Sequence, residues 1–283
     1  MQYGTPLPLT AFATVGEVKA FAEALDAGGF DFTTTSGHVL AQPAGTNPHR
    51  PDRQYAGPFF DPFVTFGYLA GITQRLRFIT GILILPALPT VLVAKQAAEL
   101  ALFSGGRFEL GVGISWNAAE YRALGQEIRG RGRRMEEQIE VLRLLWTQPY
   151  VTFNGRYHML DKVGLNRPSL PRIPIWFGTE SGERALRRVA RLADGWMSLG
   201  DPTPDLPRLR AHMEEVGRDP GQLMVRGPVV ADSRGKAAWV EAGKRLQANG
   251  VTHIFVVAPP DVAPTQALPR IIEARNALSE ALG

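Results

Sequence analysis

Apolar positions along the chain alternate between two patterns. Short runs of β-branched and apolar residues are each followed by a longer stretch with an apolar residue every three or four positions. These are the signatures of buried strands and amphipathic helices. Residues 2–6 read as a first strand. The next stretch places Val18, Phe21, Ala22 and Leu25 on one helical stripe and stops at Gly28-Gly29. Residues 30–35 are strand-like, 63–73 form a short helix, and 77–85 are a near-continuous run suited to a buried parallel strand. The following helix carries Val93, Ala97 and Leu100 on one face and ends at Gly105-Gly106. Residues 108–113 predict a fourth strand, and 133–147 the clearest helix, with Met135, Ile139, Leu142 and Trp146 along one side. Strands then follow at 174–177, 195–198, 223–230 and 253–257, each leading into a helical stripe, the last at 267–282.

Eight strand–helix units predict an α/β chain folded as one (β/α)8 TIM barrel over residues 1–283. A doubly wound sheet is the alternative, but no GxGxxG fingerprint follows the first strand. Two segments interrupt the rhythm. Residues 36–62, rich in Gly and Pro, make an extended loop after strand two, which must emerge at the C-terminal face where barrel enzymes keep their chemistry. Residues 150–173 form an insertion before strand five and contain Asn154-Gly155, a hairpin signature.

Composition changes this picture little. The chain has 283 residues, 45% hydrophobic and 20% charged, as expected of a soluble enzyme. No charged-then-apolar leader opens the sequence, and the run 79–88 is too short for a bilayer, so a cytoplasmic location without membrane contact is expected. With no cysteine, disulfides, thiolate metal sites and cysteine nucleophiles are excluded. The net charge of +4 comes from scattered arginines, with no basic tract interleaved with aromatics, so nucleic acid is not an expected partner. The basic excess is either a solvated surface or a field that steers an anionic ligand.

Candidate chemistry is sparse. There is no HxxxH spacing, GxSxG elbow or Walker loop, and no metal is expected. Of the five histidines, His253 starts strand eight on the stability face, His212 lies on a helix as a solvated residue, His158 follows the hairpin and His49 sits in the long loop. His38 differs, because it stands just past the C-terminal end of strand two, at the mouth. Glycines cluster after strands four and five. Gly111-Val112-Gly113 leads into Ser115-Trp116-Asn117, either for close packing or to let backbone approach a planar ligand. Gly178-Thr179-Glu180-Ser181-Gly182 opens a helix, either as a cap or as a phosphate loop. Tyr55, Phe59 and Phe60 are an apolar pocket wall or a cover over the core.

Taken in order, five stretches carry a resemblance to a known family. They are Gly29-Phe30-Asp31 with Gly37-His38; Thr80-Gly81-Ile82-Leu83-Ile84-Leu85-Pro86 with Ala94-Lys95-Gln96; Ser104-Gly105-Gly106-Arg107-Phe108 through Gly113; Arg131-Gly132-Arg133-Arg134-Met135-Glu136-Glu137 with Leu145-Trp146; and Pro174-Ile175-Trp176-Phe177-Gly178 with Ala193-Asp194-Gly195-Trp196. As an ordered set over about residues 1–230, the chain resembles the luciferase-like monooxygenase superfamily, nearest to its coenzyme F420-dependent oxidoreductases. The resemblance implies a cofactor ring at the barrel mouth and a phosphate at the loop after strand five. His38 would contact the ring or exchange a proton beside it. Gly81 and Ile82, joined by a cis peptide, would support its back. Gly113, Ser115 and Asn117 would flank it. Gly178, Thr179, Ser181 and Gly182 would hold the phosphate, with Trp196 nearby. Two positions depart from the family. Gly37 stands where an acidic neighbour of the histidine is usual, so His38 is expected to be less firmly held. Trp116 stands where some members carry a glutamate.

The implied activity is hydride transfer between coenzyme F420, a deazaflavin, and a small organic substrate. Oxygenation with reduced FMN is the alternative within the family, and a flavin- or deazaflavin-binding protein without turnover is an alternative outside it. A sugar-phosphate lyase or isomerase would want a lysine or carboxylate at the strand mouths, whereas Lys95 and Glu99 lie on a helix. A homodimer is a candidate assembly.

Overall fold

The structure is a computed structural model that describes residues 1–9, 12, 14–43, 45, 59–166, 171–259 and 262–283. His49 and Tyr55 lie outside the described residues. Strands β1 (Gln2–Pro6), β2 (Phe32–Gly37), β3 (Arg77–Ile84), β4 (Phe108–Gly113), β7 (Ile175–Thr179), β8 (Gly195–Ser198), β9 (Met224–Val230) and β10 (His253–Val257) close into a parallel barrel in the order β1-β10-β9-β8-β7-β4-β3-β2. Gln2 pairs with His253 across the closing seam. This is the expected TIM barrel. The insertion is the antiparallel hairpin β5 (Val151–Asn154) and β6 (Met159–Val163).

Helices α1 (Val15–Ala27), α2 (Pro62–Ala70), α3 (Thr90–Phe103), α5 (Arg131–Thr147), α6 (Glu183–Leu192), α7 (Leu206–Glu215), α8 (Lys236–Ala248) and α9 (Pro264–Leu282) surround it. A short α4 (Ala118–Ala123), which periodicity does not reveal, intervenes after β4. α1 shows how local signals set the boundaries. The Thr14 hydroxyl accepts the Glu17 N–H at 3.2 Å while the Glu17 carboxylate accepts the Thr14 N–H at 2.9 Å, a reciprocal cap. Its stripe Val18, Phe21, Ala22 and Leu25 is buried, as predicted.

Because helices cover the strands, one core lies between strands and helices and another inside the barrel. Phe66, Phe78, Phe108, Leu142 and Val189 fill the layer between strands and helices. Inside the barrel, Phe32, Ile79, Trp176, Met197 and Phe255 pack as a plug rather than a pore. Large side chains there face glycines: a Cβ on Gly4 would fall 2.3 Å from the Phe32 ring, and one on Gly195 2.3 Å from Trp176.

Charged groups sit beneath this plug. Glu109, 1% exposed, pairs with Arg77 and accepts the Trp176 indole N–H. Burial raises its pKa against both partners. His253 is wedged against Trp176 and Phe32 at the start of β10, the stability end expected for it. Burial, with help from Arg77, the N-terminal amine and Arg226, pushes its pKa down to about 3. A base held neutral when folded takes up a proton on unfolding, so its contribution is intact above about pH 6.5 and falls as pH drops from there toward 3. Between pH 7 and pH 5 the wild type should lose about 2 kcal/mol that His253→Gln does not. Urea unfolding of both proteins at the two pH values measures this; equal losses would place the imidazole in solvent.

His212 corrects an expectation. Rather than being solvated, it is 6% exposed on α7, with Glu183 3.1 Å and Glu215 3.3 Å from its ring nitrogens. The hairpin's place, undecided by sequence, is the outer flank of α5. Glu137 accepts the Arg156 and Tyr157 N–H groups and a hydrogen bond with His158 Nδ1, while His158 Nε2 lies 2.6 Å from the Thr90 hydroxyl.

Candidate active site at the barrel mouth

The site is organised by a bulge in β3. β2 advances two residues, from Thr35 to Gly37, while β3 advances three, from Thr80 to Leu83. Gly81 and Ile82 fall in this irregularity, and the peptide between them is cis, as the resemblance implied. The extra backbone needs room, and glycines on three neighbouring strands provide it. A Cβ on Gly178 would lie 2.2 Å from Ile82 Cγ2, one on Gly113 2.8 Å from Ile82 Cδ1, and one on Gly37 2.8 Å from the Ile82 carbonyl oxygen. Close packing therefore explains Gly113 and Gly178: their faces are covered by Ile82. Gly81 itself is exposed toward the mouth, whereas residues 83–87 behind it are buried.

Gly37 also changes meaning. It is the residue that fits against the bulge, and the carboxylate it displaces comes from elsewhere. Glu120, 1% exposed on α4, brings Oε2 to 2.8 Å from His38 Nδ1 and accepts the Val39 N–H at 2.6 Å through Oε1. The expectation of a loosely held His38 is thus corrected. α4 is too short to hold this geometry alone. The Asn117 side-chain oxygen caps it by accepting the Ala119 and Glu120 N–H groups, and Tyr121 packs with Ile84 and Ala87 while donating to the Ile114 carbonyl at 2.7 Å. Ser115, at φ 48°, makes the sharp exit from β4, with its carbonyl held by Arg131. A carboxylate can only accept, so His38 Nδ1 carries the hydrogen and Nε2 is the basic nitrogen of the ring.

At β7 the loop 179–182 precedes α6. Neither Thr179 nor Ser181 caps the helix: Gly182 is the N-cap residue and no side chain bonds the first turn. The Thr179 hydroxyl donates to the Glu180 carbonyl, and the Ser181 carbonyl is fixed by Arg208. A Cβ on Gly182 would meet nothing within 4 Å, so the helix start is open to approach. Trp196 is not at the mouth. It is fully buried in the layer between strands and helices.

His38 packs against Phe59, ring centroids 5.3 Å apart. Phe59 and Phe60 in turn wall a mouth cavity of about 300 Å³, whose other sides include Leu7, Thr35, Gly81, Phe255 and Arg226. A larger groove of about 730 Å³ runs between α5 and the hairpin, away from all these groups. Glu120 and Arg226 are the residues that sequence reasoning missed. Asn117 followed three positions later by Glu120 is a helix-start signature that could have revealed α4. Arg226 is a charge inside the apolar run 223–230.

Comparisons with known proteins bear on the family and the fold. The family model described as luciferase-like monooxygenase matches residues 2–278, beyond the stretch over which motifs were legible. An uncharacterized protein of Mycobacterium tuberculosis is 35% identical over 265 residues, covering 89% of this chain and 90% of its own. An F420-dependent glucose-6-phosphate dehydrogenase of Nakamurella multipartita is 32% identical over 216 residues, covering 71% of this chain and 59% of its own. Among solved structures, an F420-dependent secondary alcohol dehydrogenase in complex with an F420-acetone adduct superposes with a TM-score of 0.80 at 17% identity, covering 98% of each chain. The chain belongs to the luciferase-like monooxygenase family.

Proposed function

We propose that this protein is an oxidoreductase that transfers a hydride between coenzyme F420 and a small organic substrate at the mouth of the barrel. The observation that carries the reading is the His38–Glu120 pair beside the mouth cavity. It is supported by the F420-dependent relative at 32% identity.

The residues present fit such a cofactor. Gly81 offers exposed backbone for a flat ring, beside Ile82 and the turn Gly113 to Asn117, and the uncapped start of α6 offers backbone N–H groups to a phosphate beside Thr179, Ser181 and Gly182. When bound, the ring supplies the hydride chemistry. The protein does the rest. Glu120 fixes the imidazole, His38 takes or gives the substrate's proton at Nε2, and the apolar wall of Phe59 and Phe60 excludes water. Glu120 also removes the one argument for a protein without turnover, the missing acidic partner of His38. Lys95 and Glu99 pair with each other at 2.9 Å on α3, in the helix layer rather than at the strand mouths where a lyase would want them.

Titrating apo-protein with each cofactor tests the choice. F420 should bind more tightly than FMN, because its anionic tail adds attraction to an arginine-rich surface. Tighter FMN binding at physiological salt would favour oxygenation instead. In the same titration, Ser181→Asp should weaken F420 binding by on the order of tenfold, one like charge beside a phosphate, at unchanged melting temperature. Unaltered affinity would move the phosphate away from this loop.

A further inference from the structure

Arg226 is handled unlike the other part-buried arginines. Arg77 is answered by the Glu109 carboxylate. The Arg107 guanidinium donates to the carbonyls of Ala70, Leu76 and Ser104 and to the Thr73 hydroxyl. Arg218 donates to the carbonyls of Ala190 and Ala193 at 2.7 Å each. A guanidinium has five N–H donors. Arg226 places its own against one carbonyl, that of Ser198 at 3.3 Å, and the Met197 sulfur at 3.6 Å, both at the long end of such contacts. Its guanidinium carbon lies 4.3 Å from the centre of the Phe255 ring, a contact that leaves its N–H donors unsatisfied. Among the described residues no carboxylate pairs with it.

Placing a charge in an apolar strand interior without a counter-ion is costly, and such charges are retained where something else answers them. Arg226 projects from the inward face of β9, between Met224 and Pro228, into the floor of the 300 Å³ mouth cavity. Among the described residues lining that cavity it is the only charged one. Burial pushes its pKa down to about 10, which still leaves it cationic at neutral pH. The cavity walls are apolar and aromatic at Leu7, Leu9, Phe59, Phe60 and Phe255, and carry the polar residues Thr34, Thr35 and Ser36 along β2. Gly81, against which the ring is placed, lines the same cavity. Ring and substrate therefore share a volume at the small end for ligand pockets, and the substrate beside the ring must be compact.

We infer that Arg226 is a specificity-determining residue that binds the anionic group of the substrate, and that the substrate is a compact apolar molecule bearing one carboxylate. This rests on the proposed function only in placing the substrate in the mouth, beside the ring and His38. A planar carboxylate matches the guanidinium fork, and the aromatic walls match an apolar body.

Benzoate and its neutral isostere benzamide probe this directly. Binding of each to the full-length protein is measured by calorimetry, without cofactor and with F420 present. The wild type should prefer benzoate at least tenfold in one or both forms. Arg226→Met should abolish the preference while leaving benzamide affinity and F420 affinity within about twofold of wild type. Arg226→Lys, which keeps the charge and loses the fork, should weaken benzoate severalfold, and it decides the matter should the methionine variant fail to fold. The inference is overturned by a wild type with no preference for benzoate, by a preference that survives in both variants, or by a loss in Arg226→Met that falls on F420 rather than benzoate, which would make Arg226 a cofactor residue. A protein that prefers benzoate through Arg226 but binds no F420 would uphold the anion site and refute the proposed function, so the two failures are distinguishable.

Discussion

His38→Ala should lower turnover about 10²–10⁴-fold while changing cofactor affinity far less. The factor is what a positioned general acid–base contributes, and the imidazole is well placed to supply it. It stands at the end of β2, its Nδ1 is 2.8 Å from a buried carboxylate, and its ring rests on the wall of the mouth cavity. The competing role is mechanical: His38 could simply anchor the chain where it leaves the barrel. That role makes a different forecast, a lower melting temperature with near-normal turnover. Measuring turnover, cofactor affinity and melting temperature on the one variant separates them, and near-normal turnover removes His38 from catalysis.

Glu120→Gln should cost nearly as much, for a different reason. Glutamine keeps the shape and can still accept the Val39 N–H, so the fold should survive. The atom facing His38 becomes an amide N–H. It would donate to Nδ1, shift the ring hydrogen to Nε2, and leave no acceptor there for the substrate's proton. Wrong-tautomer substitutions of this kind reduce turnover by up to about 10⁴-fold. Glu120 acts through His38, so it is a positioning residue, and rescue discriminates. Glu120→Asp should retain more activity than Glu120→Gln, and the pH–rate profile of Glu120→Gln should lose its imidazole limb. Full activity in Glu120→Gln would reduce Glu120 to a tether for the Val39 and Leu40 N–H groups.

The barrel was legible because each of its elements obeys one period. The run 77–85 reads as buried strand because both of its faces are covered, and β4, β8 and β10 fall at their predicted bounds. The position of His38 at the mouth followed from strand polarity alone. The partner of His38 was not legible, because it is 82 residues away and is delivered by a six-residue helix too short for periodicity. Gly37 misled in the same way. Read locally it is a missing carboxylate, but in three dimensions it is the space that the bulge at Ile82 requires. Gly113 and Gly178 show the same limit, since a glycine that admits a ligand and one that admits a neighbouring side chain are identical in sequence. Trp196 sits in the outer core for a simpler reason. Alternation along β8 points Gly195 and Met197 inward and Trp196 outward.

The most direct single measurement is a crystal structure of the protein with oxidised F420. The ring should lie against Gly81 and Ile82 within hydrogen-bonding reach of His38, with the phosphate at residues 179–182. A cofactor found instead in the larger groove between α5 and the hairpin, or a ring at the mouth turned away from His38, would contradict the assignment of the active site.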